Sequence, residues 1–199
     1  MARFKTIWSE TLIVVVISAL LTACTSHPVR GPAVVSGIAI AEEEGTYQAG
    51  DIYFAGQLDE PAFTRMRDRG VTTVINLRSN EEMEELAADD EAPLDESAAL
   101  AAMSVRYVHI PLGGDDGYEP ADVQAFAEAI EAADGPVLVH CASGGRARTM
   151  WQAYLVKHRG YSLDDAAAVT RTVGGQDSAI ERLLGRRVRL TPGSALPRQ

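Results

Sequence analysis

The sequence predicts an α/β fold in which a mainly parallel central sheet is flanked by helices. From residue 51 onward, short strand-like stretches alternate with amphipathic helix-like stretches. Such alternation is typical of a parallel sheet covered by helices on both faces. The chain has 199 residues, of which 46% are hydrophobic and 23% charged. These values indicate one globular domain with additional residues at its ends.

Four strands are predicted from their residue types and from the residues that end them. The clearest is Val71–Leu77, because its β-branched residues suit a buried strand. Pro111 ends a second one, since proline cannot donate to a sheet ladder. In chain order, the four predicted strands are 51–54, 71–77, 105–110 and 136–140.

Five helices are predicted from apolar spacing and end signals. The pattern of Val123, Phe126, Ala127 and Ile130 places one face of a helix against the core. Ser162 and Asp165 form a capping arrangement that begins another helix. The predicted helices are 60–69, 120–133, 146–158, one beginning at 162, and one beginning at 180.

The first residues have the pattern of an export signal. A short basic start precedes the apolar run Leu12–Leu21, which is shorter than a typical membrane-spanning helix. The run leads into Leu21-Thr22-Ala23-Cys24, which resembles the bacterial lipoprotein processing box. That resemblance implies cleavage of a signal peptide (1–23) and lipidation of Cys24. An uncleaved anchor and a chance cysteine are the alternatives.

The resemblance also implies a location and a partner. The protein would be lipid-anchored in the bacterial cell envelope, on the periplasmic side, with the membrane as partner through its N-terminal lipid. Thr25, where an aspartate usually signals inner-membrane retention, indicates the outer membrane. We therefore predict an acylated Cys24 with a tether over 24–49, a domain over 50–187 and a tail over 188–199. For the tether, an extension packed on the domain is an equal alternative.

Charge excludes some functions. The formal net charge is −10, and a chain this acidic is a poor candidate for nucleic-acid binding, which needs a basic face. Residues 81–96, the acid-rich segment, hold nine acidic residues and no basic one, and we interpret them as a solvated loop and helix face. Their spacing does not fit a calcium-binding EF-hand loop. No metal site and no cofactor are predicted, because the His and Cys residues lack ligand spacing.

The chemistry is predicted where the last strand ends. His140 is followed by Cys141-Ala142-Ser143-Gly144-Gly145-Arg146, which we call the cysteine loop (residues 141–146). Small residues allow backbone N–H groups to converge on an anion at a helix N-terminus, and an arginine can add a bidentate pair of hydrogen bonds to phosphate. We assign Ala142, Ser143, Gly144 and Gly145, with Arg146, to phosphate binding.

Cys141 is the predicted nucleophile of this loop. A cysteine near a helix start and an arginine favours the thiolate, which can attack a phosphate ester and form a covalent phosphocysteine. His140 is predicted to support the loop by hydrogen bonding. The alternative is a buried structural cysteine beside an ordinary glycine-rich turn.

Two further predictions complete the site. Asp115 or Asp116 follows the 105–110 strand on a glycine-rich loop and is predicted to protonate the leaving group; a plain Asp-Gly turn is an equal alternative. Arg78 ends a strand on the same expected sheet edge and is predicted either to line the site or to bridge to the acid-rich segment.

His140–Arg146 resembles the phosphate-binding loop of the cysteine-dependent tyrosine and dual-specificity phosphatases. It is more similar to the bacterial beta-lactamase hydrolase-like phosphatase family. The likeness covers roughly 50–185 and includes Phe54–Leu58, Val74–Arg78, Tyr107–Leu112, Trp151 and Gly160–Ser162. It implies a phosphatase-like fold, a phosphorylated substrate of unknown type and a phosphomonoester hydrolase.

One departure concerns the spacing inside the loop. The phosphatase superfamily usually places five residues between cysteine and arginine, whereas four separate Cys141 from Arg146 and six would separate it from Arg148. We choose Arg146, because the similar bacterial family has the shorter spacing. A rhodanese-like sulfurtransferase with a persulfide on Cys141, and a non-catalytic anion-binding envelope lipoprotein, are the rival functions.

Overall fold

The structure, a computed structural model, describes residues 38–39, 45–90, 93–171 and 179–186. The predicted signal peptide, Cys24 and the 188–199 tail lie outside these ranges. No helix in the described part of the chain is both long and apolar enough to cross a membrane.

A mainly parallel sheet forms the centre of the domain, as the sequence predicts. Within the described ranges it has six strands in the order β1-β2-β3-β6-β4-β5. The pairs β3–β6, β6–β4 and β4–β5 are parallel, and β1–β2 and β2–β3 are antiparallel. The strands are β1 (Ile38–Ala39), β2 (Tyr47–Ala49), β3 (Ile52–Ala55), β4 (Thr73–Asn76), β5 (Arg106–His109) and β6 (Val137–His140).

The antiparallel edge changes the interpretation of the predicted tether. Both β1 and β2 lie within 24–49, and Tyr47 pairs with Phe54 of β3. Gly50 allows the tight reversal between β2 and β3, since its φ of +64° is a conformation that favours glycine. At these positions the chain is therefore a packed extension of the sheet, and the boundary at residue 50 is too late.

Seven helices surround this sheet in the described ranges. They are α1 (Glu60–Asp68), α2 (Asn80–Ala87), α3 (Glu96–Ala102), α4 (Pro120–Glu131), α5 (Gly145–His158), α6 (Leu163–Arg171) and α7 (Ile180–Leu184). The five predicted helices are present with ends shifted by two residues or fewer. The helices α2 and α3 were not individually predicted. Helix α2 begins at Asn80, one residue before the acid-rich segment, and α3 begins at Glu96, the last residue of that segment.

Alternating side chains of the strands fill two cores, one on each face of the sheet. In β3, Phe54 belongs to a cluster with α4, α5 and α7, whereas its neighbour Tyr53 belongs to a cluster with α1 and α3. In β6, Val139 belongs to the first of these clusters and Leu138 to the second. This period of two buries both faces of a parallel strand.

The sheet topology brings the segments that follow three parallel strands to one edge of the sheet. The parallel strands β3, β6 and β4 are neighbours, and each ends on the same side. Gln57 follows β3, Cys141 follows β6 and Arg78 follows β4. Ligands of open α/β sheets bind at this carboxyl edge, so the fold places the predicted residues together.

Candidate active site

Cys141 lies at the base of the cysteine loop, between β6 and α5. The backbone N–H of Gly144 donates to its sulfur, with 3.1 Å between N and Sγ. Gly144 is also the N-cap residue of α5, so the sulfur lies at the N-terminus of a 14-residue helix. An N–H donor and a helix N-terminus both stabilise a thiolate. The residue is only 1% exposed, beneath exposed Ala142 and Ser143.

Two glycines make this arrangement possible. Gly144 has a φ of +83°, and a Cβ there would lie 3.3 Å from the Ala55 carbonyl oxygen. A Cβ on Gly56 would lie 3.0 Å from the Ala142 oxygen. This close approach allows the N–H of Gln57 to donate to the same Ala142 oxygen at 3.0 Å. The turn after β3 therefore holds the cysteine loop from the side.

Arg146 is held in place by Glu82 of α2. Its Nη1 donates to Glu82 Oε2 at 2.5 Å and its Nη2 to Glu82 Oε1 at 2.7 Å, a bidentate pair. Nη1 also donates to the Leu112 carbonyl oxygen at 2.7 Å. The Arg146 hydrogen bond, working against burial, lowers the pKa of Glu82 to about 2. Glu82 is therefore ionised at neutral pH.

This pairing leaves one side of the guanidinium available. Of five N–H donors, Glu82 and Leu112 occupy three, and the two left are on Nε and Nη2, which share an edge. Burial lowers the pKa of Arg146, but the Glu82 hydrogen bond and the charges of Cys141 and Glu82 raise it overall. The guanidinium is therefore close enough to hydrogen-bond the Cys141 sulfur, and a tetrahedral anion bound beside that sulfur would use the same two donors.

Arg148 is used differently. Its Nε donates to the Gly144 carbonyl oxygen at 3.0 Å, and its guanidinium lies 5.9 Å from the centre of the Tyr47 ring. It thus binds loop carbonyls, which point away from an anion held by the loop amides. The geometry favours Arg146 as the arginine that grips an anion.

His140 supports the loop through a buried carboxylate. Its Nε2 lies 2.8 Å from Glu96 Oε1, and both side chains are 0% exposed. Burial raises the pKa of Glu96, but the hydrogen bond and charge of His140, with help from Gln57 and Arg78, lower it overall. Glu96 is therefore a charged group in the protein interior.

Arg78 joins this arrangement without facing the anion loop directly. Its Nη1 donates to Gln57 Oε1 at 2.9 Å, and Gln57 Nε2 donates to Glu96 Oε2 at 3.0 Å. Its Nη2 lies 3.3 Å from the backbone oxygen of Glu82. Of the two predicted roles, bridging to the acid-rich segment is the one that the structure shows.

The interpretation of the acid-rich segment as only a solvated face is therefore wrong at two positions. Glu82 holds Arg146 and Glu96 holds His140, while Glu84 and Glu85 between them are exposed. A sequence signal existed for the first, because Ser79 and Glu82 form a capping box at the start of α2. No local pattern marks Glu96, whose partner is 44 residues away.

The two candidate acids have different surroundings. Asp116 accepts from the backbone N of Asn80 at 2.8 Å and from its Nδ2 at 2.6 Å, and so caps the start of α2. Asp115 is exposed and makes no hydrogen bond with a described residue. Both lie in a loop (residues 113–117, the aspartate loop) whose glycines 113, 114 and 117 all have positive φ.

Other candidate sites are weaker. Within the described ranges, no group of three or more His, Cys, Asp or Glu residues is placed to hold a metal ion. A cleft of about 450 Å³ between Asp51 and Asp134 lies at the amino ends of β3 and β6, the opposite edge from Cys141. None of the predicted site residues lines it.

Sequence comparisons identify a family of relatives. Residues 47–155 match the family described as the phosphatase-like domain of beta-lactamase hydrolase-like protein. Over 97 residues, the chain is 36% identical to the beta-lactamase hydrolase-like protein of Xylella fastidiosa and 32% identical to that of Agrobacterium fabrum. Each match covers 49% of this chain and 21% of the relative, so the chain spans about a fifth of the length of these relatives.

Solved structures show the same fold. TpbA of P. aeruginosa, crystallised in complex with pTyr, has a TM-score of 0.55 and 20% identity, over 73% of this chain and 83% of that one. Tk-PTP in its active form has a TM-score of 0.56 and 21% identity, over 69% and 94%. A structure from Neisseria meningitidis that is described as a phosphatase has a TM-score of 0.53 and 23% identity, over 68% of this chain and 93% of that one.

The family match covers more than half of the chain and includes β2 to β6, the cysteine loop and most of α5. The residues that the topology brings to the carboxyl edge of the sheet lie within that match. This chain belongs to the family of phosphatase-like domains found in beta-lactamase hydrolase-like proteins.

Proposed function

We propose that the protein is a phosphomonoester hydrolase in which Cys141 is the nucleophile. The observation that supports this most directly is the Gly144 N–H donated to Cys141 Sγ beside the Arg146 guanidinium. The loop amides and the free edge of Arg146 bind the phosphoryl oxygens. Because the hydrogen bonds to Glu82 use Nη1 and one N–H of Nη2, and leave the N–H of Nε and the second N–H of Nη2, phosphate binding does not require that pair to break.

The reaction has two steps. The Cys141 thiolate attacks phosphorus, an S–P bond forms, and the P–O ester bond breaks as the leaving oxygen takes a proton from an aspartic acid. Water then attacks phosphorus and gives a proton to the aspartate, while the S–P bond breaks. Inorganic phosphate leaves and the thiolate is restored, with no cofactor consumed.

Asp115 is our choice for the acid. The Asp116 carboxylate accepts two hydrogen bonds from Asn80, whereas the exposed Asp115 is available to a bound ester. The positive-φ glycines on either side give the aspartate loop the freedom to bring Asp115 over the substrate.

Turnover of two aryl phosphates tests these roles. We expect Cys141→Ser to abolish turnover and Asp115→Asn to lower kcat by about 10²-fold with phenyl phosphate. The loss should be smaller with p-nitrophenyl phosphate, whose leaving group needs little protonation. Asp116→Asn is the matched control; if it reproduces the leaving-group dependence and Asp115→Asn does not, the assignment is reversed.

The burial of Cys141 favours a second candidate, non-catalytic anion binding. Cys141 is only 1% exposed, and a nucleophile must contact the phosphorus of its ester, whereas an anion can bind to the loop amides without reaching the sulfur. Vanadate binding without turnover of any ester, and without a trapped phosphocysteine, would support the binding function and exclude the hydrolase. A gain of one sulfur on Cys141 after thiosulfate treatment would instead indicate a sulfurtransferase.

The N-terminal motif supports a proposal about location. We propose that Cys24 is acylated and anchors the protein in the cell envelope, on the basis of Leu12–Leu21 followed by Thr22-Ala23-Cys24. Incorporation of labelled palmitate that is lost in Cys24→Ala, with Cys141→Ala as control, is the expected result. Equal labelling of both variants would contradict the proposal.

A further inference from the structure

One buried charge takes no part in the chemistry described so far. Glu96 is the first residue of α3, at the end of the acid-rich segment, and its side chain is 0% exposed. A buried carboxylate is costly to maintain, and replacing a buried ion pair with apolar residues of similar volume is often neutral or stabilising. Stability alone therefore does not explain why the chain places Glu96 there.

The position of Glu96 relative to the nucleophile suggests another reason. Its Oε1 lies 2.8 Å from Nε2 of His140, the residue immediately before Cys141. An ionised carboxylate only accepts hydrogen bonds, so Nε2 carries the proton and the orientation of the imidazole is fixed. On another side, the Phe63 ring meets the imidazole edge to face, with 5.7 Å between ring centres.

The second oxygen of Glu96 leads to the other side of the cysteine loop. Oε2 accepts from Gln57 Nε2 at 3.0 Å, and the backbone N of Gln57 donates to the Ala142 oxygen at 3.0 Å. Glu96 thus contacts the residue before Cys141 directly and the residue after it through Gln57. One carboxylate therefore supports the residues on both sides of Cys141.

We propose that Glu96 is a positioning residue for the nucleophile, acting through His140 and Gln57 to hold Cys141 against the Gly144 N–H and Arg146. This inference deepens the proposed function and rests on it for its catalytic meaning. Four groups from the neighbouring strands and loops face Glu96: His140 at the end of β6, Gln57 after β3, Arg78 after β4 and Tyr107 in β5.

Tyr107 lies close to the charge of Glu96. Burial raises the pKa of Tyr107 to about 12, and the negative charge of Glu96 contributes in the same direction. The Tyr107 hydroxyl accepts from Asn76 Nδ2 at 3.0 Å rather than donating to Glu96. The carboxylate is therefore left to the imidazole and the Gln57 amide.

Alkylation of Cys141 by iodoacetamide, followed from pH 4 to 10 on the full chain, tests the proposal. We expect Glu96→Gln to raise the pH of half-maximal alkylation by about one unit, because His140 and Gln57 would no longer hold the sulfur against the Gly144 N–H and Arg146. Removal of the negative charge by itself would lower that pH, so a rise reports the lost positioning. Glu96→Gln should also lower kcat more than it changes KM. Glu85→Gln, the same substitution at an exposed position of the same segment, should leave the midpoint unchanged.

The opposite outcome is clear. If folded Glu96→Gln melts at a lower temperature but alkylates with the wild-type midpoint, Glu96 is only structural and the proposal is overturned. If Glu96→Gln does not fold, the wild-type protein gives a second measurement. NMR of the wild-type protein would follow the chemical shift of the proton on His140 Nε2. That chemical shift should change when vanadate binds or when Cys141 is alkylated, and an unchanged value would also overturn the proposal.

The alkylation measurement needs no turnover, so two failures can be told apart. A midpoint that depends on Glu96 in a protein without phosphatase activity would exclude the hydrolase and retain the positioning role. Phosphatase activity with a midpoint independent of Glu96 would exclude only the positioning role.

Discussion

The two ends of the cysteine loop are both held by glutamates of one acid-rich segment, but in different surroundings. At the cysteine end, His140 and Glu96 are 0% exposed. At the arginine end, the side chains of Arg146 and Glu82 are 17% and 26% exposed. We expect the buried pair to hold the proposed nucleophile rigidly and the partly exposed pair to adjust if an anion binds. On this hypothesis, one segment of the chain supplies both a rigid and an adaptable support for the candidate site.

The largest expected effect is on stability at the cysteine end. We expect Glu96→Ala to lower the free energy of unfolding by about 3–5 kcal/mol, because it leaves the buried imidazole without its partner. Urea denaturation measures this change. Glu85→Ala is the control and should stay within about 0.5 kcal/mol of wild type. Equal values for the two variants would remove the contrast between buried and exposed carboxylates.

At the arginine end, activity should change more than stability. We expect Glu82→Gln to lower kcat/KM by about tenfold, equivalent to about 1.4 kcal/mol, because Arg146 loses its bidentate partner. The free energy of unfolding should fall by no more than about 1 kcal/mol, as for partly exposed ion pairs. If its unfolding free energy falls as far as that of Glu96→Ala, the arginine end is as rigid as the cysteine end.

A smaller effect is expected where the aspartate loop meets α2. Asp116→Asn should lower the free energy of unfolding by about 1 kcal/mol, because a charged acceptor for two Asn80 donors is lost near a helix N-terminus. Thermal melts with Asp115→Asn as the matched control measure it. A larger destabilisation by Asp115→Asn would mean that the exposed aspartate is the structural one.

The smallest expected effect is on how the free energy of unfolding depends on pH in acid. Because Arg146 lowers the pKa of Glu82 to about 2 from an ordinary 4.5, its contribution to stability is complete above about pH 4.5. That contribution is lost as the pH falls from 4.5 toward 2. Unfolding measured across this window should show a shallower pH dependence for Glu82→Gln than for wild type. Parallel curves would show that the pair does not stabilise the fold.

Much of the fold follows from local patterns. The β-branched residues around Val74 and the spacing of Val123 and Phe126 identified a strand and a helix, because such residues bury one or both faces of an element. The ends of the strands were less well predicted, because hydrogen bonding between strands stops where the neighbouring strand ends. Val71 is buried, for example, yet β4 begins only at Thr73. The sheet pairing of residues 47–49 left no comparable signal in the sequence.

The sequence by itself determined the choice of candidate nucleophile, candidate anion-binding loop and candidate arginine, because all three lie within six consecutive residues after a buried strand. Only the tertiary structure decided which carboxylates hold the loop, which aspartate is engaged by Asn80 and where Arg78 acts. Those contacts join Glu82 to Arg146 and Glu96 to His140 across 64 and 44 residues. Local sequence periodicity carries no information about pairs at such separations, because only the packing of α2 and α3 around the sheet brings them together.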